Sequence, residues 1–223
     1  MDKLLFVKAC VKYVFGVLLL FLLLFIPAGS LRFWNAWLFM ALVFIPILIA
    51  GVILMIKNPS LLQKRLNSKE KEPEQKRVVL LSAVMFAAGF IVAGLDFRFN
   101  WLKVPYTLSI VAVVIFIFSY LLYMAVMRQN VYLSRTIEIQ ENQRVIDTGL
   151  YGIVRHPMYL STILLFLSVP LILGSLFSLL VFLMYPAIIV KRIQNEEQVL
   201  ERGLRGYTAY QRRVKYRLIP FIW

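Results

Sequence analysis

The chain has 223 residues, of which 61% are hydrophobic and only 16% are charged, and its mean hydropathy is +0.79. A soluble domain is nearer half apolar and about a quarter charged, so this composition argues against a soluble protein. The net charge of +14 would suggest nucleic acid as the partner of a soluble protein, but here the charges are confined to loops. Basic loops beside long apolar segments instead indicate a membrane protein next to anionic lipids, and no nucleic-acid partner is expected.

Four segments in the first part of the chain are long enough to cross a bilayer as helices. A hydrocarbon core of about 30 Å needs roughly 20 apolar residues, and only helices and closed barrels satisfy their backbone there. The predicted helices cover residues 13–31, 33–56, 78–95 and 104–127. Residues 1–127 are therefore interpreted as a four-helix membrane region.

A fifth apolar stretch, residues 157–190, carries no charge and is too long for one perpendicular helix. Its middle contains Pro170 and the pair Gly174-Ser175, which interrupt helices. These residues predict a hairpin of two helices, near 158–173 and 176–190. The predicted fold is all-α integral membrane, with four transmembrane helices, a C-terminal helical hairpin and a cytoplasmic C-terminal tail.

The distribution of basic residues predicts the orientation. Of the 25 Lys and Arg residues, all but Arg32, Arg98 and Lys103 lie in the N-terminal segment, in 57–77, in 128–158 or after residue 190. Cytoplasmic loops carry such an excess of basic residues. Both termini and the active site are expected on the cytoplasmic side of a plasma or inner membrane, and 57–77 is interpreted as a linker or a short surface helix.

The polar residues that flank the hairpin are the main candidates for a site. The only histidine, His156, lies in the Arg-His-Pro-Met-Tyr string 155–159, and Glu196 and Glu197 follow the second arm. Taken separately, the string could anchor lipid phosphate, and the glutamates could form a charged helix surface. A hairpin, however, returns the chain to the face that it left, so we expect His156 and Glu197 to meet at the membrane surface.

Other kinds of site find little support in the sequence. One histidine and the distant Cys10 do not make a usual zinc ligand set, so no metal is expected. No glycine-rich nucleotide loop occurs. The predicted apolar stretches contain no charge, which argues against an ion channel or a proton-coupled transporter.

Residues 128–223 resemble the isoprenylcysteine carboxyl methyltransferases and the related phospholipid methyltransferases. The similarity rests on Asp147-Thr148-Gly149-Leu150-Tyr151-Gly152, string 155–159, the hairpin, Asn195-Glu196-Glu197, Leu200 and the segment from Gly206 to Pro220. The resemblance implies a C-terminal catalytic region, residues 128–223, which transfers a methyl group from S-adenosylmethionine to a lipophilic acceptor from the bilayer. Ser161, where many members have glycine, and Leu204-Arg205-Gly206 in the tail depart from the family pattern.

The resemblance also implies roles for individual residues. The catalytic candidates are Arg155, His156 and Arg217, and the cofactor-binding candidates are His156, Pro157, Tyr159, Glu196, Glu197, Tyr151 and Tyr207. The glutamates suit the cationic groups of S-adenosylmethionine, and Arg155 or His156 suits its carboxylate. Arg217 or Arg128 would orient an acceptor carboxylate, whereas an amine or hydroxyl acceptor would need a base, either His156 or a glutamate.

Two other functions stay open. Membrane NADPH-dependent reductases of sterol or enone lipids carry a similar Arg-His-Pro-x-Tyr string, but they tend to have Asn where this chain has Met158. The pair Glu196-Glu197 favours the methyltransferase. A non-catalytic lipid-binding or scaffold protein is the third hypothesis. The sequence does not distinguish among prenylcysteine carboxylates, phospholipid amines, phenols and small lipophilic acids as acceptor, and it leaves the oligomeric state open.

Overall fold

A computed structural model shows a helical protein, and it describes residues 3–66, 73–102, 104–133, 137 and 139–223. Lys103 and residues 67–72 of the charged segment 57–77 lie outside this part of the chain. The helices are α1 (Lys3–Ala28), α2 (Trp34–Lys57), α3 (Pro59–Leu66), α4 (Pro73–Phe99), α5 (Tyr106–Gln129), α6 (Pro157–Leu173), α7 (Leu176–Phe182), α8 (Met184–Gly203) and α9 (Tyr207–Arg213). A 3-10 turn, Gly149–Gly152, precedes α6.

Five helical segments of the described chain are long and apolar enough to cross a membrane. They are Lys3–Ala28, Trp34–Lys57, Gln75–Phe99, Tyr106–Gln129 and Leu176–Gly203, and α6 is a shorter apolar helix. At most 28% of the most apolar window of each segment is buried inside the protein, so the remaining surface suits lipid tails. The predicted all-α integral membrane fold is confirmed.

The ends of two long helices differ from the prediction. Helix α1 begins at Lys3 rather than at residue 13, and α4 runs from Pro73 to Phe99 rather than over 78–95. Asp96, predicted to lie outside the helix, is therefore in the last turn of α4. The helix continues past Asp96 because the backbone carbonyl of Asp96 still accepts a hydrogen bond from the backbone N–H of Asn100, at 2.7 Å. The helix ends there because φ of Asn100 is +52°.

The predicted turn of the hairpin is confirmed at Gly174-Ser175. Gly174 has a φ of +77°, a conformation that glycine adopts without steric cost, and it ends α6. The backbone N–H of Ser175 donates to the carbonyl of Pro170 at 2.9 Å. The side chain of Ser175 then caps α7 by accepting from the backbone N–H of Ser178 at 3.1 Å.

The second arm of the hairpin is longer than predicted and has a joint. The prediction was one helix over 176–190, whereas α7 ends at Phe182 and α8 runs from Met184 to Gly203. Pro186 explains the joint, because it has no N–H to donate to the carbonyl of Phe182 and its ring crowds that carbonyl. The glutamate pair thus lies on the second arm itself, not in the tail.

Close packing between α7 and α4 fixes the position of the second arm. The hydroxyl of Ser178 donates to the carbonyl of Gly89 at 2.8 Å. A Cβ at Gly89 would lie 2.3 Å from a ring atom of Phe182, which is fully buried, so only glycine allows this approach. Small residues commonly allow such close contact between membrane helices.

Candidate active site

The tail holds the segment that leads into α6. The backbone N–H of Arg155 donates to the carbonyl of Tyr216 at 2.9 Å, and that of His156 donates to the carbonyl of Arg217 at 2.8 Å. Pro157 occupies the first turn of α6, where its missing N–H costs nothing. The backbone of two candidate site residues is therefore held by residues about sixty positions later in the chain.

The buried carboxylate of Glu197 contacts three basic side chains where the tail meets the start of α6. Glu197, which is 3% exposed, accepts from Arg155 Nε at 2.8 Å and from Arg217 Nε at 2.8 Å, through different oxygens. His156 Nε2 lies 3.2 Å from Glu197 Oε1. The predicted meeting of His156 and Glu197 is confirmed. Arg155 Nη1 also donates to the carbonyls of Val214 and Lys215, so the cluster joins α6, α8 and the tail.

A second polar cluster lies one residue away along α8. The hydroxyl of Tyr159 donates to Glu196 Oε2 at 2.6 Å and accepts from Arg192 Nε at 3.0 Å. Arg192 Nη1 also donates to Oε1 of Gln75 at 3.3 Å, and the side chain of Gln75 is buried. This cluster connects the hairpin to the start of α4.

A cleft opens beside these clusters. It encloses about 830 Å³ of space between protein atoms, counting solvent at its mouth. The predicted residues that line the cleft are Tyr151, Arg155, His156, Tyr159, Glu196 and Tyr207.

Three predicted site residues do not line the cleft. Pro157, Glu197 and Arg217 are not among the lining residues, and Arg217 Nε donates to Glu197 Oε2. Arg128, considered for orienting an acceptor, is exposed at the end of α5 and does not line the cleft either. The two adjacent glutamates therefore occupy different environments, with Glu196 on the wall and Glu197 within the framework.

Tyrosines supply much of the cleft wall. The hydroxyl of Tyr207 is buried and has no hydrogen-bond partner among the residues that the structure describes. Burial, and then the nearby charges of Glu197 and Glu196, raise the pKa of Tyr207, so its hydroxyl stays protonated and able to donate. Burial raises the pKa of Tyr151 to about 12, although the hydrogen bond from Asn130 opposes the shift. Tyr210 supports this wall by donating to the carbonyl of Tyr151 at 2.8 Å.

Some residues of the cleft and its supports were not predicted as site residues. Asn130, Arg144 and Arg192 line the cleft, and Gln75 supports Arg192. Arg192 had one signal in the sequence, its position four residues before Glu196, which places the two on one helix face. Gln75 had none, because its contact with Arg192 joins residues 117 positions apart.

Comparison with known proteins gives two results for this region. The isoprenylcysteine carboxyl methyltransferase (ICMT) family model matches residues 110–202, which run from α5 to the end of α8. A Delta(14)-sterol reductase of Mus musculus is 33% identical over 91 residues, which are 40% of this chain and 22% of that protein. The chain thus matches about a fifth of the length of this relative. The family model matches less than half of the chain, so the similarity to the isoprenylcysteine carboxyl methyltransferase family is to residues 110–202.

Proposed function

We propose that the chain transfers a methyl group from S-adenosylmethionine to a lipophilic acceptor that reaches the cleft from the bilayer. The observation that carries the proposal is the convergence of string 155–159, Glu196 and Tyr207 on one cleft at an end of an apolar helical bundle. Because basic residues concentrate at this end, the proposal places the cleft and both termini on the cytoplasmic side.

The residues of the cleft fit S-adenosylmethionine. The carboxylate of Glu196 lies on the wall and suits the amino group or the sulfonium of the donor. The unpartnered hydroxyl of Tyr207 offers a hydrogen bond that no described residue takes. The rings of Tyr151, Tyr159 and Tyr210 supply flat apolar surfaces against which the adenine ring of the donor can pack. When bound, S-adenosylmethionine supplies an electrophilic methyl group on its sulfur.

In this proposal Glu197 positions other residues rather than touching the donor. Its two oxygens hold Arg155, His156 and Arg217, so these side chains keep one orientation. Methyl transfer depends mainly on alignment, and correct positioning can supply several kcal/mol, on the order of 7–11, of the barrier reduction. The donor contact predicted for the glutamate pair is therefore assigned to Glu196.

Charge and proton placement favour an acceptor carboxylate. The described lining of the cleft contains three arginines, Arg144, Arg155 and Arg192, and one glutamate, Glu196. Glu197 receives bonds from two permanently charged arginines, so it is ionised and can only accept. In its 3.2 Å contact with this carboxylate, Nε2 of His156 is therefore the donor, so this nitrogen is not free to take a proton from an acceptor. A carboxylate acceptor needs no base, because it is already ionised at neutral pH.

Calorimetric titration of S-adenosylhomocysteine into the purified full chain in detergent tests the donor. We expect micromolar binding that survives Glu201→Gln, a change at an exposed residue of the same helix. A second assay follows methyl transfer from labelled S-adenosylmethionine to a lipophilic carboxylic acid and to the amine and alcohol of equal chain length. Methylation of the amine or alcohol in preference to the acid would overturn the acceptor assignment.

A membrane reductase is the second candidate, because the chain is similar to part of a Delta(14)-sterol reductase. The same titration with NADPH separates the two functions. Binding of NADPH without S-adenosylhomocysteine would replace the methyltransferase proposal by a lipid reductase. Binding of neither, by protein whose melting curve shows it folded, would favour a non-catalytic lipid-binding protein.

A further inference from the structure

A second cleft lies at the opposite end of the helical bundle. It encloses about 890 Å³, counting solvent at its mouth, and Asp96, Asn100, Arg32 and Asn35 lie on its polar side. Asp96 follows Gln75 by 21 residues in α4. At 1.5 Å per residue this separation is roughly 32 Å, so the second cleft is about one bilayer thickness from the candidate active site.

The carboxylate of Asp96 is only partly hydrogen-bonded by the described residues around this cleft. The residue is 3% exposed, and among the described residues its Oδ1 accepts a single long bond, 3.3 Å, from the backbone N–H of Leu102. Its Oδ2 is buried without a partner in the described part of the chain. The last turn of α4 gives no help, because the negative end of a helix disfavours an anion. A buried carboxylate in this condition calls for a cationic or hydrogen-bonding ligand.

The neighbouring side chains define what such a ligand looks like. Arg32 lines the same cleft, and no ion pair joins it to Asp96 in the described structure, so its guanidinium can bind a separate negative group. Asn35 uses its amide N–H on the carbonyl of Ile172, at 2.9 Å, and its own carbonyl oxygen can accept. A buried acceptor and an arginine in one cleft match an ammonium group that is covalently close to a phosphate.

We propose that this cleft binds the head group of an aminophospholipid, with its primary ammonium on Asp96 and its phosphate towards Arg32. The orphan Oδ2 needs an N–H donor, which a quaternary choline group lacks. A bare metal ion fits less well, since hard cations such as Ca²⁺ take 6–8 oxygen ligands and the described lining of the cleft offers one carboxylate, that of Asp96. The apolar lining by Phe33, Leu102 and Leu173, and the exposed apolar faces of the bundle, suit the acyl chains.

Native mass spectrometry of the delipidated full chain tests the proposal without relying on a variant. The probes are phosphatidylethanolamine, its N-methyl and N,N-dimethyl derivatives and phosphatidylcholine, all with the same acyl chains. A charge-assisted hydrogen bond predicts that phosphatidylethanolamine binds about tenfold tighter than phosphatidylcholine. The largest loss is expected when the last N–H is removed. Equal affinity for all four lipids would overturn the proposal.

Variants then locate the site. Asp96→Asn should abolish the preference for phosphatidylethanolamine, and Arg32→Gln should weaken the binding of all four lipids by the same factor. Arg98→Gln is the matched control, because Arg98 lies near Gly29 and over the ring of Phe99 and does not line the cleft. A preference that persists in Asp96→Asn would overturn the assignment. So would a rise in melting temperature that Na⁺ or Ca²⁺ alone produces in the parent and not in Asp96→Asn, since it would show a metal site instead.

Discussion

Two acidic side chains at opposite ends of the bundle, Glu197 and Asp96, are equally buried, each 3% exposed. Glu197 is in contact with two arginines and a histidine, and those groups are themselves held by backbone carbonyls of the tail. Within the described part of the chain, Asp96 has one long backbone bond and one oxygen without a partner. The comparison shows that burial of a charge does not by itself mark a ligand site. A buried carboxylate whose hydrogen-bond and ion-pair partners all come from its own chain has a structural role. One that lacks such partners is available to a ligand.

The largest expected effect is on the framework carboxylate. Glu197→Gln leaves Arg155 and Arg217 without their negative partner, and breaking a buried ion pair from one side costs about 3–5 kcal/mol. We expect a loss of that size in the free energy of unfolding, measured in mild detergent. The control is Glu201→Gln, which changes an exposed residue of the same helix. Unchanged stability of the Glu197 variant would show that the cluster is not a framework.

Glu196→Gln should separate the two adjacent glutamates. Hydrogen bonds to charged groups contribute about 1.5–3 kcal/mol, so we expect S-adenosylhomocysteine to bind roughly ten- to a hundredfold more weakly. Stability should change little, because Gln still accepts from the hydroxyl of Tyr159. Calorimetry measures both parameters on one preparation. Parent-like affinity in this variant would place the cationic group of the donor elsewhere.

Tyr207→Phe should affect stability and binding in opposite directions. The hydroxyl has no partner in the described structure, so its removal should leave the free protein as stable or more stable by up to about 1 kcal/mol. If the hydroxyl binds the donor, affinity for S-adenosylhomocysteine should fall by about fivefold. Tyr216→Phe is the control, since Tyr216 does not line the cleft. Lower stability without weaker binding would show that the hydroxyl has an internal partner.

The smallest expected effect is on the unsatisfied carboxylate. In lipid-free detergent, Asp96→Asn should change the free energy of unfolding by less than about 1 kcal/mol, or raise it, because the described residues satisfy this carboxylate only in part. The same unfolding measurement as for Glu197→Gln gives the comparison directly. A loss as large as that of the Glu197 variant would mean that Asp96 is paired within the protein, and the contrast between the two ends would disappear.

The sequence predicted the hairpin and its consequence, because Gly174 and Ser175 are local signals and topology then brings His156 to Glu197. It did not predict which of the two glutamates faces the cleft. Neighbouring residues on a helix point about 100° apart, and their directions depend on the rotation of α8 about its axis. That rotation follows from distant contacts such as Phe182 with Gly89 and Arg192 with Gln75. The burial of Asp96 was missed for a related reason, since hydropathy marks where an apolar run stops, not where a helix does.

The backbone bonds from Arg155 and His156 to the carbonyls of Tyr216 and Arg217 have a consequence for the order of events during synthesis. A chain leaves the ribosome from its N-terminus, so α1 to α8 emerge while the acceptors of these bonds are still absent. The ion cluster around Glu197 is complete only when residues 214–217 have emerged and folded back. A nascent or prematurely ended chain would thus carry the membrane helices without a finished site, and insertion into the bilayer would precede competence to bind a ligand.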